Sequence, residues 1–381
     1  MKIKRCIEDN ILKHFDESKK GIVIYGPRQA GKTTLVNDIL AKKNWETLVL
    51  NGDRRGDWWE VIVSRELPKL KMMLAGYEAL FVDEAQRIPE IGLSLKIILD
   101  EFPELKVLAT GSSSIDLSSK VSEPLTGRVY TYKLYPISQE EMGKILTPFE
   151  LKESLEERLV FGSYPEIFSL KGMEAKIEYL LNLLDNYLYK DLLDFDGIKN
   201  SRKIRDLLKL LAFQVGSQVS ITELAGVLEL GRVTVDKYID LLEKSYVVFR
   251  LGGFSRNLRK EVSKMDKIYF YDLGVRNAVI GNFNFLNNRN DVGSLWENFL
   301  ILERMKFLAY SRRQFSHYFW RLTSGSEIDL IEEESGNLTG YEFKYGTKIS
   351  KPSKSWITSY KNAGFQTVNK DNYLDFLTGK K

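Results

Sequence analysis

The chain reads as an α/β protein with a parallel sheet first, a helical connector second and a smaller α/β module last. Three observations predict this. Up to about residue 140, short apolar runs alternate with stretches of helix length. From about Leu151 to Gly274 the apolar spacing turns mostly helical. Beyond about Gly281 one helical stretch, Ser294 to Leu308, precedes strand-like alternation and a last helix. A chain of 381 residues holds two or three domains at roughly 150 residues each. The expected bounds are 1–140, 141–280 and 281–381.

The elements follow in order. Gly21 to Tyr25 and Ala79 to Asp83 are compact apolar runs, the pattern of buried strands. Thr47 to Leu50, Leu105 to Thr110 and Val129 to Tyr132 complete the first set. Strands separated by helix-length segments predict βαβ units and a parallel sheet. In the connector, Tyr179, Leu180, Leu183, Leu184, Tyr187 and Leu188 recur at helical spacing across Ile177 to Leu193. They form a core-facing stripe.

Composition excludes several chemistries. The one cysteine, Cys6, allows no intrachain disulfide, Cys-rich zinc site or Cys-ligated cluster. Two histidines, His14 and His317, leave no His-rich metal centre. No apolar run approaches the roughly 18 residues of a membrane span, and no secretory apolar segment follows the basic start Met1 to Arg5. A cytoplasmic location is the expectation. A net charge of +4 does not announce a nucleic-acid binder. Any catalysis is expected to rest on carboxylates, lysines, hydroxyls and Mg²⁺.

Gly26-Pro27-Arg28-Gln29-Ala30-Gly31-Lys32-Thr33 fits the Walker A pattern at every fixed position. A buried strand precedes it, and a helix carrying Thr34, Leu35, Val36, Ile39 and Leu40 follows. The glycines let backbone N–H groups converge on phosphate oxygens, and the helix N-terminus adds partial positive charge. Residues Gly26 to Thr34 are therefore the expected ATP cradle. Lys32 is expected on the β/γ-phosphates and the Thr33 hydroxyl on Mg²⁺.

The run Ala79 to Val82 ends in Asp83-Glu84. Such a strand delivers two acids to the carboxyl edge of the sheet, where ligands bind. Asp83 is expected to hold Mg²⁺ through its water shell and Glu84 to orient the attacking water. The next strand ends Thr110-Gly111-Ser112-Ser113-Ser114, and Thr110 and Ser112 are both candidates for a γ-phosphate sensor. Arg128, in Gly127-Arg128, is a candidate γ-phosphate contact, in cis or from a neighbouring subunit.

These residues together resemble a bacterial and archaeal group of AAA-type ATPases. The resemblance is carried by Gly26-Pro27-Arg28-Gln29 ahead of Lys32, Asp83-Glu84-Ala85-Gln86 with Pro89 behind it, Thr110-Gly111-Ser112-Ser113, and Gly127-Arg128. It implies a P-loop NTPase sheet. Members of that group carry a C-terminal region of poorly known function. Gly162-Ser163-Tyr164-Pro165-Glu166 resembles its opening motif, and Ile268 to Gly274 looks like its central strand and turn.

Ser220 to Leu230 and Gly231 to Leu242 outline two short helices around a turn, a helix-turn-helix pattern. Leu224, Ala225, Leu228, Val235, Ile239 and Leu242 are expected to pack on a helix from Ile204 to Val215. Tyr246 to Leu251 and Gly252-Gly253 then read as a strand and wing turn, completing a winged helix. In a DNA-binding version, Arg232, Thr234 and Lys237 enter the major groove. Arg256, Arg259, Lys260 and Lys264 add charge, whereas Asp236, Asp240 and Glu243 oppose it. The alternative is a winged helix that contacts protein.

Trp320 to Ile331 ends in a strand pattern, and Leu338 to Lys344 forms the next strand after a turn at Glu334 to Asn337. Alternation places Glu342 and Lys344 on one face, Asp329 on the neighbouring strand can join them, and Glu297 is a fourth candidate. This looks like the PD-(D/E)XK nuclease fold, in which acids bind Mg²⁺ and the lysine steadies the nucleophilic water. Glu297, Asp329, Glu342 and Lys344 are thus candidates for a second Mg²⁺ site. The expected activity is ATP hydrolysis that switches the C-terminal modules. A DNA-binding or nuclease protein regulated by ATP is the alternative, and a protein partner or self-assembly stays open.

Overall fold

The structure is a computed structural model that describes residues 3–112, 122–185, 201–255, 265–313, 315–322, 325–360 and 362–379. Its contacts divide the chain into two compact units. One comprises Lys2–Pro136 with Lys244–Tyr246, and the other Ile137–Glu243 with Val247–Lys381. The expected second and third parts thus share one unit.

The first unit runs α1 (Glu8–Glu17), β1 (Gly21–Tyr25), α2 (Lys32–Lys43), β2 (Thr47–Asn51), α3 (Trp58–Ser64), α4 (Leu67–Leu74), β3 (Ala79–Asp83), α5 (Ile91–Glu101), β4 (Lys106–Gly111), α6 (Ser122–Leu125) and β5 (Val129–Lys133). The five strands form a parallel sheet in the order β2-β3-β4-β1-β5. Every residue of the inner strands β1 and β3 is buried, while the edge strands β2 and β5 are only partly so. Burial on both faces explains why the inner strands are unbroken apolar runs. The register sets Asp83, Thr110 and Ile24 side by side, so three strand ends meet at one edge. This is the α/β fold of a P-loop NTPase.

The second unit begins with α7 (Gln139–Met142), α8 (Pro148–Glu153), α9 (Leu155–Phe161) and α10 (Met173–Leu183). Tyr187, Leu188 and the rest of the expected stripe to Leu193 lie outside the described residues. Then come α11 (Ser201–Phe213), α12 (Ile221–Leu228), α13 (Arg232–Lys244), β6 (Val248–Leu251) and β7 (Lys267–Phe270), the two strands pairing antiparallel. Arg256, Arg259, Lys260 and Lys264 also lie outside the described residues. The unit ends with α14 (Leu273–Ile280), α15 (Val292–Tyr310), β8 (Ser316–Arg321), β9 (Glu327–Glu334), β10 (Asn337–Phe343), α16 (Lys354–Ser359), β11 (Gly364–Val368) and α17 (Tyr373–Thr378). Its four-stranded sheet is mixed, in the order β11-β10-β9-β8, with β10 and β11 parallel. Phe254, Trp320, Ile328, Ile331, Leu338, Trp356 and Tyr360 form one apolar cluster on it.

Two segments singled out in the sequence interlock here. Asp272 caps α14 by accepting from the Val275 N–H at 3.1 Å, and its other oxygen accepts from the Ser163 N–H at 2.7 Å. Gly162 adopts φ +75°, and a Cβ there would stand 2.1 Å from Asp272 Oδ1. Only glycine tolerates both the backbone and the approach. Asn277 then donates to the Leu159 and Val160 carbonyls, satisfying the end of α9. Burial pushes the Asp272 carboxyl up to about 6, against the pull of the Ser163 and Val275 N–H groups and the Lys306 ammonium.

Helix α15 is buried almost all round, yet carries Asn298, Glu303, Arg304 and Lys306. Each is paired. Asn298 exchanges two hydrogen bonds with the Phe270 backbone, Glu303 binds Arg158 and Lys306, and Arg304 binds Glu332 through both oxygens. Burial of such groups is tolerable only with partners of this kind. No helix among the described residues is long and apolar enough to cross a membrane.

Candidate functional site

The loop after β1 is built for close backbone approach. Gly26 has φ +154°, and a Cβ on it would lie 2.0 Å from the Leu134 carbonyl oxygen. Gln29 adopts φ +59° and Gly31 φ +93°, which turns the chain into α2 at Lys32. The helix N-terminus therefore opens at the carboxyl edge of the sheet, where its free N–H groups favour an anion. Thr33 and Thr34 are exposed there, Gln29 too, while Arg28 is half-buried and Pro27 and Ala30 are buried. The buried Lys32 donates to the Gly26 and Pro27 carbonyls at 2.9 and 3.0 Å, so its ammonium is held over the loop it is expected to serve.

Asp83 reaches the same place from β3. The Thr33 hydroxyl donates to its carboxylate at 3.0 and 3.1 Å. Both groups are hard oxygen donors, the set Mg²⁺ prefers. Thr110, fully buried, donates to Asp83 Oδ1, and its oxygen accepts from the Glu84 N–H at 3.3 Å. That hydroxyl positions the end of β3; it is committed to Asp83. Glu84 adopts φ +48°, a left-handed turn that ends the strand. Gln86 donates to Glu84 Oε2 and, at 3.0 Å, to Ser112 Oγ.

Arg128 is not brought to this edge in its own chain. It precedes Val129, which pairs with Gly21 at the start of β1, and its carbonyl accepts from the Gly21 N–H. The P-loop follows the other end of that five-residue strand, about 17 Å away at ~3.3 Å per residue. The Arg128 guanidinium is bound to Asp100 at 2.7 and 3.0 Å. The expected cis contact is corrected on this ground: parallel pairing fixes the strand start at the opposite edge.

Arg5 was not among the sequence candidates. Buried, it donates to the Ala30 carbonyl at 2.6 Å and to the Tyr135 carbonyl, tying the P-loop to the chain after β5. Nothing in the basic stretch Met1 to Arg5 distinguishes it from its lysine neighbours.

The C-terminal candidates come together with an added lysine. Asp329 accepts from the Phe343 N–H at 2.7 Å, and Lys344 binds Glu342 at 2.6 Å. Glu297, however, binds Lys267 at 2.9 Å and accepts from the Tyr269 hydroxyl. Lys267 also binds Glu327 at 2.5 Å, and its side chain is 2% exposed. Burial opposes the Lys267 charge, but Glu297 and Glu327 hold its pKa above the ordinary value. Burial, then Glu297 and Glu342, drive the Asp329 carboxyl well above the usual range. Among the described residues no three His, Cys, Asp or Glu form a metal-holding group. Glu297, Asp329, Glu342 and Lys344 lie within electrostatic reach of one another, and Lys267, from a strand outside that set, adds a cation paired with Glu297 and Glu327.

On α13, Arg232 and Lys237 are exposed and Thr234 is half-buried. The opposing acids are occupied: Arg250 on β6 binds Asp236, Asp240 and Glu243.

Residues 18–143 match the family model described as an AAA domain. Residues 152–285 and 292–374 match two domains of unknown function, DUF8612 and DUF4143. An uncharacterized protein of Mycobacterium tuberculosis is 29% identical over 339 residues, covering 88% of this chain and 71% of its own. One of Methanocaldococcus jannaschii is 26% identical over 331 residues, covering 81% and 71%. Among solved structures, a Walker-type ATPase of Pyrococcus abyssi is similar at 14% identity and a TM-score of 0.46, over 71% of this chain and 94% of that one.

Proposed function

We propose that the protein hydrolyses ATP, a reading supported by the match of residues 18–143 to the AAA domain model. The observation that carries this is the meeting of Thr33 with Asp83, fifty residues apart, at 3.0 Å beside Glu84. When ATP binds, backbone N–H groups of the loop from Arg28 to Thr34 receive the phosphates and Lys32 moves from the loop carbonyls to the β/γ oxygens. Thr33 and Asp83 would hold Mg²⁺, which neutralises phosphate charge. Glu84 orients the attacking water and accepts its proton. Nucleotide state then changes the Asp83–Glu84 turn and, through it, the placement of the C-terminal modules. Equilibrium binding of a fluorescent ATP analogue tests the first step. Lys32→Ala is expected to abolish it, and unchanged affinity would refute the site.

A second reading is DNA binding through α13. It is supported by the order α11, α12, α13 and antiparallel β6–β7, that of a winged helix, and by Arg232 and Lys237 lying exposed while Arg250 pairs with, and partly offsets, the three acids of the same helix. Salt-dependent binding to duplex DNA would support it, and no binding at low salt would remove it in favour of a protein-contacting helix.

A further inference from the structure

Gln86 stands two residues after Glu84, in the turn Ala85–Arg87. Its side-chain amide has two N–H donors and one carbonyl acceptor. Both donors are used, one on Glu84 Oε2 and one on Ser112 Oγ. A planar amide that makes both bonds at once fixes the carboxylate after β3 against the hydroxyl after β4. Its carbonyl oxygen is buried and has no hydrogen-bond partner among the described residues. Buried acceptors are normally satisfied, so an open one calls for a reason. The neighbouring link, Thr110 to Asp83 and to the Glu84 N–H, already ties these two strand ends together. A second link is superfluous for holding the sheet and acts on the Glu84 side chain itself.

We propose that Gln86 is a positioning residue for Glu84, coupling its carboxylate to Ser112, with the open carbonyl as the acceptor for a water admitted by the ATP-loaded site. This rests on the ATPase reading and names how its water-orienting group is aimed. Among the described residues, Ser112 is the strand-end hydroxyl that remains for contact with the γ-phosphate once Thr110 is committed to Asp83. An engaged Ser112 pulls on Gln86, and Gln86 turns Glu84.

The test is single-turnover ATP hydrolysis with parallel nucleotide binding, for wild type, Gln86→Met, Gln86→Glu, Ser112→Ala and the double variant Gln86→Met with Ser112→Ala. Gln86→Glu keeps the side-chain size and removes the donors. Both Gln86 variants are expected to slow hydrolysis roughly 10- to 100-fold, the scale of a misaimed catalytic group. Nucleotide Kd should change by less than about threefold, since binding does not use Glu84. The double variant should be no slower than the worse single one, because both changes break one relay. Hydrolysis within about twofold of wild type in Gln86→Met overturns the inference and leaves the ATPase reading intact. So do additive losses, or affinity falling in step with rate in the Gln86 variants. Tight binding with no turnover by wild type overturns both.

Discussion

Replacing Lys267 by methionine tests the ion cluster of the second unit. The lysine has a side chain 2% exposed and lies 2.9 Å from Glu297 and 2.5 Å from Glu327. Methionine fills nearly the same volume, so the loss is of charge rather than packing. Removing one member of a buried ion pair costs about 3–5 kcal/mol, because the partner stays buried and uncompensated. Glu297 is 16% exposed and Glu327 27%. Water can relieve them in part, so the low end, about 3 kcal/mol, applies. For a unit of this size that corresponds to a fall in Tm of roughly 6–12 °C. Tryptophan fluorescence follows it, since Trp296, Trp320 and Trp356 are in this unit. The triple variant Lys267→Met, Glu297→Gln, Glu327→Gln should recover most of the loss, as the stranded charges are gone. A shift below about 2 °C in the single variant, or no recovery in the triple, would refute the cluster's role.

Three further outcomes follow from the geometry. Asp272, pushed up to about 6 by burial, keeps a proton that the unfolded chain releases near 3.8, so its contribution to stability is full below 3.8 and is lost as pH rises through about 6. Urea unfolding of wild type against Asp272→Asn should therefore show a difference that changes by about 3 kcal/mol over that window and is flat above it; a constant difference would contradict the burial effect. Gly162→Ala should cost more than about 3 kcal/mol and depress soluble yield, whereas Gly172→Ala, with a similar backbone but open space around it, should cost about 1–3 kcal/mol; equal melting shifts would contradict the Asp272 clash. If α13 binds DNA, alanine at Arg232 or Lys237 should lower the slope of log K against log salt by about 1 each, and unchanged slopes would place the contacts elsewhere.

The first sheet was legible because its inner strands are buried on both faces, which writes β1 and β3 as unbroken apolar runs. The P-loop and the Asp83-Glu84 end were legible for a related reason: they sit at strand ends, next to the pattern that reveals the strand. Arg128 was not, because proximity along the chain to a site motif does not tell which edge of a parallel sheet a residue occupies. The sequence does not show that Thr110 bonds to Asp83 while Ser112 bonds to Gln86, because both pairings cross between strands. Lys267 directly precedes the apolar run Ile268 to Phe270. Its partners lie thirty residues on at Glu297 and sixty on at Glu327. Such charge pairing carries no local periodicity. Arg5 is the same case, its acceptors being backbone carbonyls that any residue could present.

The proposed hydrolysis is tested most directly by Glu84→Gln, assayed for steady-state ATP turnover with Mg²⁺ and for nucleotide binding in the same preparation. The amide keeps the shape and the Gln86 contact surface but cannot accept the proton of the attacking water. Binding is expected to stay within about threefold of wild type while turnover falls by about 10²-fold or more. Equal turnover in the two proteins would contradict the role of Glu84 and, with it, the mechanism.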